Sequence, residues 1–153
     1  MKTFLKENLI GILLALLLGL LFLLWGRMIV REMRLNTYAH DLTTKEARLN
    51  CLSSYGWTCD PGSEERRTAL VPDPLDAVYQ KYNRLQTPCG FNLERYRGKH
   101  IECYTYRITN FPYEIHDPVF ANLLIYEDNL IGGDIMSTAI DGFMLPLDRK
   151  FLP

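Results

Sequence analysis

The run "NLIGGDIMSTAIDGFM", Asn129 to Met144, gathers residue types that could do chemistry: glycines at 132 and 133, carboxylates at Asp134 and Asp141, and the Ser137-Thr138 step. Brought into one polar pocket, the two carboxylates could share acid–base work or hold a cation. The paired glycines could let a phosphate approach the backbone. A phosphate loop, however, offers backbone N–H groups at a helix N-terminus, usually after a parallel strand. "LIGGDIM" lacks the Lys-Ser/Thr partner and reads as half of a hairpin. The structural alternative fits better. Glycine within a strand marks a bulge or a close backbone approach, Asp134 can cap the next turn on the N–H of Ser137 or Thr138, and Asp141-Gly142 is a turn pair.

Other constellations are sparse. The Gly-Gly-Asp triplet also occurs in cyclic-dinucleotide synthases, but there acidic and aromatic residues follow within a larger domain. Here Ile135 and Met136 follow. His40, His100 and His116 are scattered without zinc-site spacing, and Cys51, Cys59, Cys89 and Cys103 form no C-x-x-C pair. Cys51–Cys59 and Cys89–Cys103 are the nearest pairs in sequence, and a disulfide is permitted but not required. No G-x-S-x-G elbow occurs. We therefore expect no cofactor and no metal, and the reading leans away from an enzyme.

The elements that must position these residues follow from periodicity. "TTKEARLNCLSSYG" reads as a helix opened by a Thr43/Glu46 capping box and closed by Gly56. "DPGSEERR" is a polar turn and "TALV" a returning strand. A second helix is expected with Asp73 as N-cap, Pro74 as first residue and Leu75, Val78, Tyr79, Tyr82 and Leu85 along one face. Its two tyrosines should pack on a sheet with their hydroxyls at the rim. "KHIECYTYRITNF" reads as a long strand with Tyr104, Tyr106 and Ile108 on one face and Ile101, Cys103, Thr105 and Arg107 on the other. "VFANLLIY", the tight connection "EDN" and "LIGGDI" complete a hairpin. Helices first and clustered strands after them predict an α+β domain, with an antiparallel sheet packed against two helices.

The N-terminus is different in kind. Leu9 to Trp25 has no polar side chain, and the apolar character runs on to Val30 with Arg27 inside it. About 20 such residues suffice to cross a bilayer, so a single transmembrane helix is expected. No A-x-A-like cleavage site follows, which reads as a retained anchor in the lipid bilayer. Gly11, Ala15 and Gly19 recur every four residues, a small-residue stripe suited to self-association or pairing with another membrane helix. The expected organisation is an anchor over 1–30, a polar connector over 31–41, the domain over 42–147 and a tail over 148–153. Lys2 and Lys6 before the span, against Arg27, Arg31 and Arg34 at its end, mildly favour a cytoplasmic domain by the positive-inside rule. Beyond Arg34, twelve Lys and Arg face sixteen Asp and Glu. That acidic balance carries no basic stripe and disfavours nucleic acid.

From Ala47 to Met144, the runs "YGWTC", "FNLERYRGKHIECYTYRITNFP" and "ANLLIYEDNLIGGDIMSTAIDGFM" resemble a bacterial family of membrane-anchored proteins known only as a domain of unknown function. "LDAVYQKYNRLQ" looks like that family's central helix. The resemblance implies an N-terminal anchor and a small extracytoplasmic domain, and supplies no substrate or catalytic residue. The leading functional expectation is a non-enzymatic binding or sensing module at the membrane surface, with Tyr104, Tyr106, Arg107 and Asp134 presented in one groove. A small hydrolase using Asp134 and Asp141 is the enzymatic alternative, and a structural accessory of another membrane protein is the third.

Overall fold

Helix α1, Lys2–Tyr38, is the longest element, as a leucine-rich run free of proline predicts. Within it Gly11–Arg31 has a mean hydropathy of 2.4 over 21 residues and none of that stretch is buried. At 1.5 Å per residue such a stretch is about 32 Å long, which matches the hydrocarbon core of a bilayer. The computed structural model describes residues 2–152. Met1 and Pro153, which bound the expected segments, lie outside the described residues. So do the side chains of Lys2, Lys6 and Arg34 that enter the charge argument. The chain forms two compact units, Met1–Asn36 and Thr37–Pro153.

The second unit is an α+β domain. Its five-stranded antiparallel sheet runs in chain order: β1 (Glu65–Leu70), β2 (His100–Arg107), β3 (Val119–Tyr126), β4 (Asn129–Ser137) and β5 (Met144–Pro146). The hairpin between β3 and β4 closes on Glu127 and Asp128, both at positive φ, as a tight two-residue turn demands. Strand β1 starts at Glu65, earlier than the expected Thr68, because all six of its residues find partners on β2. Strand β5 escapes sequence reading: it is three residues long, and Pro146 is tolerated at the sheet edge.

Two helices flank the sheet. In α2 (Lys45–Ser54) the N-cap is Thr44, not Thr43, with its hydroxyl accepting the Ala47 N–H at 3.1 Å. Thr43 turns instead to Asp41, donating to its carboxylate at 3.1 Å, so the expected capping box does not form. Gly56 ends the helix at φ +95, the left-handed conformation glycine adopts without strain. Helix α3 (Ala77–Gln86) begins later than expected: Asp76, not Asp73, is its N-cap, accepting the Tyr79 N–H at 2.8 Å. Val78, expected on the buried face, lies in the first turn and is 75 % exposed.

Strand pairing assigns the two faces. Arg66, Tyr104, Leu123 and Gly133 lie in one cross-strand row, and Arg67, Cys103, Leu124 and Gly132 in the next. Side chains alternate along a strand, so these rows face opposite ways, the first toward α2 and the second toward α3. A bulge between Leu124 and Ile125 leaves Ile131 as the extra residue on β4. It lies just before the glycines that were expected to bend the strand.

The outer edge of β4 is covered piecemeal. Leu130 N–H donates to the Ala39 carbonyl and Leu42 N–H to the Asp128 carbonyl, both at 2.8 Å. Gly133 N–H donates to Gln86 Oε1 at 2.8 Å, and β5 pairs with the remainder from Asp134 onward. Residues beyond β5 return to the domain, where Arg149 N–H donates to the Tyr55 carbonyl and Asp148 is buried. All four cysteines are free thiols.

Candidate functional site

Between α3 and the sheet lies a cavity of about 690 Å³, within the range of small-molecule sites. Tyr79 and Tyr82, set edge to face, form its helical wall. Leu93, Ile101 and Leu124 supply apolar lining from the packed core, and Met136 and Met144 from neighbouring strands. Glycine at 132 is what lets α3 approach: a Cβ there would stand 3.1 Å from Gln86 Oε1 and from Leu124.

Asp134 is the polar centre of this cavity and is 2 % exposed. The Tyr82 hydroxyl donates to its Oδ2 at 2.5 Å, and Asn122 Nδ2 donates to its Oδ1 at 2.9 Å. Thr105 in turn donates to Asn122 Oδ1 at 2.6 Å, fixing the amide so that its NH₂ meets the carboxylate. Burial drives the Asp134 carboxyl above its ordinary range, and the donors Tyr82 and Asn122, with the Arg67 charge, pull only part of the way back. Burial, then the Asp134 charge, pushes the Tyr82 hydroxyl well above its usual value, so it remains a donor at neutral pH. Burial also raises the Cys103 thiol, against the pull of Arg67. A protonated thiol is a poor nucleophile.

The expected local cap is not what Asp134 does. Its side chain crosses to β3 and α3, and the turn after β4 is served by Ser137, whose hydroxyl accepts the Ala139 N–H at 3.4 Å. Asp141 is exposed in the Ala139–Gly142 turn and does not line the cavity, so the two carboxylates do not form the pair a hydrolase reading requires. The close-packing role of the glycines holds: at Gly133 a Cβ would meet the Asn122 carbonyl oxygen at 2.6 Å.

Nor do Tyr104, Tyr106 and Arg107 join Asp134 in a groove. Asp134 is one residue out of phase with Gly133, which shares the row of Tyr104, so it points to the opposite face. Both tyrosines are buried under α2. The Arg48 guanidinium lies 3.9 Å above the Tyr104 ring, and Arg48 Nε donates to the Tyr106 hydroxyl at 3.0 Å. Arg48 also donates to the carbonyls of Leu42 and Thr43, at 2.8 and 3.0 Å, and pairs with Glu64 at 3.0 Å. The Tyr106 hydroxyl donates to Glu64 as well. Arg107 is exposed and pairs with Asp60 at 3.0 Å. The expected rim position of the helical tyrosines also fails for Tyr82, whose hydroxyl is directed inward to Asp134.

Tyr82 is expected from the sequence only as a packing residue, and Asn122, Arg67 and Gln86 carry no sequence signal for this site. Gln86 is fully buried, and its Nε2 has no hydrogen-bond partner among the described residues. Among the described residues no cluster of three or more His, Cys, Asp or Glu could hold a metal ion.

No match is found among curated proteins or among solved structures. Residues 51–135, just over half of the chain, match a family described as a domain of unknown function, DUF4830. That stretch runs from the middle of α2 through the cavity-forming α3 to Ile135, and includes Tyr82, Asn122 and Asp134. By that match the chain belongs to the DUF4830 family.

Proposed function

We propose that this is a single-pass membrane protein whose extracytoplasmic α+β domain is a non-enzymatic binding module, with the cavity beside α3 as its ligand site. The observation that carries the reading is the cavity itself: an apolar chamber with a buried, hydrogen-bonded carboxylate at its polar centre. A few placed polar groups in an apolar pocket are the usual makeup of a recognition site. The length, hydropathy and lack of burial of Gly11–Arg31 support the anchor. In the same reading, Gly11, Ala15 and Gly19 offer a stripe for pairing with another membrane helix. The protein should stay in the membrane pellet after carbonate washing, and protease added to intact spheroplasts should digest the domain. The binding claim is tested on the full chain in lipid nanodiscs with isotope-labelled methionine methyls. Added 1-hexanol should shift the Met136 and Met144 resonances more than that of Met28 in α1. Met136→Trp, which fills the chamber, should abolish the Met144 shift. Unmoved Met136 and Met144 signals would sink the reading.

A further inference from the structure

The rim of the cavity differs in charge from its centre. Arg67 on β1 and Lys81 on α3 both line it, and both are exposed. Elsewhere on the domain, Arg48, Arg66, Arg97 and Arg107 each pair with a carboxylate. Arg67 and Lys81 make no ion pair among the described residues. Arg67 comes within reach of the Cys103 thiol, which places its guanidinium over the cavity. Asp134, the one carboxylate lining the cavity, already receives donors on both oxygens. The carboxylate is thus hydrogen-bonded on both oxygens, while Arg67, which meets the Cys103 thiol and the field of Asp134, and Lys81 on the opposite wall hold no ion pair among the described residues.

Resting on the binding reading above, we infer that the ligand is an anionic amphiphile, its apolar body among Leu93, Leu124, Met136 and Met144 and its acidic head between Arg67 and Lys81. Arg67 supplies a planar fork suited to carboxylate or phosphate, and Lys81 a mobile point charge. The head stays at the rim, where it keeps part of its hydration, so no charge is transferred into the apolar chamber. The lone pairs left on Asp134 can accept a hydroxyl or amide from the body of the ligand.

The test uses the full chain in nanodiscs and three water-soluble probes with one tail: hexanoate, 1-hexanol and hexylammonium. Titrations follow the Met136 and Met144 methyls, with Met28 reporting uptake into lipid. Hexanoate should bind about tenfold more tightly than hexylammonium at low ionic strength, the scale two exposed charge contacts provide. The preference should shrink in salt and vanish in the Arg67→Gln/Lys81→Gln double variant, which should still bind 1-hexanol. Equal affinity for all three probes would overturn the anionic head while leaving the cavity as a binding site. A preference for hexylammonium would overturn it too, making Asp134 the recognising group. No methyl shift with any probe would overturn both this inference and the binding reading.

Discussion

The two faces of the sheet solve the problem of buried polarity in opposite ways. Under α2, Arg48 is 5 % exposed yet every direction of its guanidinium is used: two carbonyls, a carboxylate, a phenol and an aromatic face. Under α3 the polar groups are fewer, with a desolvated carboxylate beside an open chamber and, at the end of the helix, a buried Gln86 amide nitrogen without a partner among the described residues. A saturated network fixes one arrangement, whereas a network with an unpaired polar atom is less tightly specified. The α2 face is thus the more fully hydrogen-bonded of the two.

The largest effect that should separate them is Arg48→Met. It breaks the ion pair to Glu64 and leaves Glu64 and the Tyr106 hydroxyl only each other and Lys45, and we expect a loss of about 3 kcal/mol, the lower end for breaking a buried pair because Glu64 keeps some solvent. Tyr82→Phe, the matching cut on the α3 face, should cost about 1.5 kcal/mol, the lower end for a hydrogen bond to a charged group. Chemical denaturation of both variants measures the contrast. Equal losses would mean that the faces do not differ in this way.

The adjacent glycines give a second contrast. At Gly133 an added Cβ would meet a backbone oxygen at 2.6 Å and Leu147 at 2.9 Å, so Gly133→Ala should cost about 2 kcal/mol by overpacking. At Gly132 the closest atoms belong to side chains, at 3.1 Å, and they can give way. Gly132→Ala should cost less than about 1 kcal/mol, and a reversed order in denaturant midpoint would show that the α3 face is the rigid one.

The smallest contrast is in pH. Burial would raise the Glu64 carboxyl, but the Tyr106 and Arg48 hydrogen bonds overcome it and hold it below the ordinary value. Its stabilisation is complete above about pH 4.3, the unfolded value, and is lost as pH falls through the lower folded value. Asp134 has the opposite sign. Its folded carboxyl lies above the unfolded value, so stability declines as pH rises from about 3.9 through that raised folded value. Glu64→Gln should flatten the acid limb of melting temperature against pH, and Asp134→Asn should remove the decline above it. If Asp134→Asn steepened that decline, the direction assigned to its carboxyl would be wrong.

Legibility in the sequence tracked the range of the interactions. The β3–β4 hairpin could be read because alternation and a two-residue turn are local signals, and α1 because its apolar run is unbroken. The helix starts slipped by one residue in α2 and by three in α3, since Thr43 and Thr44, or Asp73 and Asp76, are chemically equivalent caps. The site was less visible. Asp134 was noticed, but its partner Tyr82 is 52 residues away, and only the sheet register brings Asn122 opposite it. A signal for the α2 network was present: Arg48 is in helical phase with the apolar Cys51 and Leu52, a charge on a buried stripe.

Severing the chain beyond Leu42 would strip the cover from the first part of the β4 edge, because Ala39 and Leu42 supply its backbone partners there. An uncovered strand edge is a template for pairing with other chains. The exposed row would begin at Asn129 and lead into the hydrophobic stretch from Leu130 to Ile131. Preparations of the domain freed from α1 would therefore keep their solubility only if the cut falls ahead of Ala39. A shorter fragment would keep the cavity residues, lose the Leu42 carbonyl from the Arg48 network, and be prone to sheet-to-sheet aggregation.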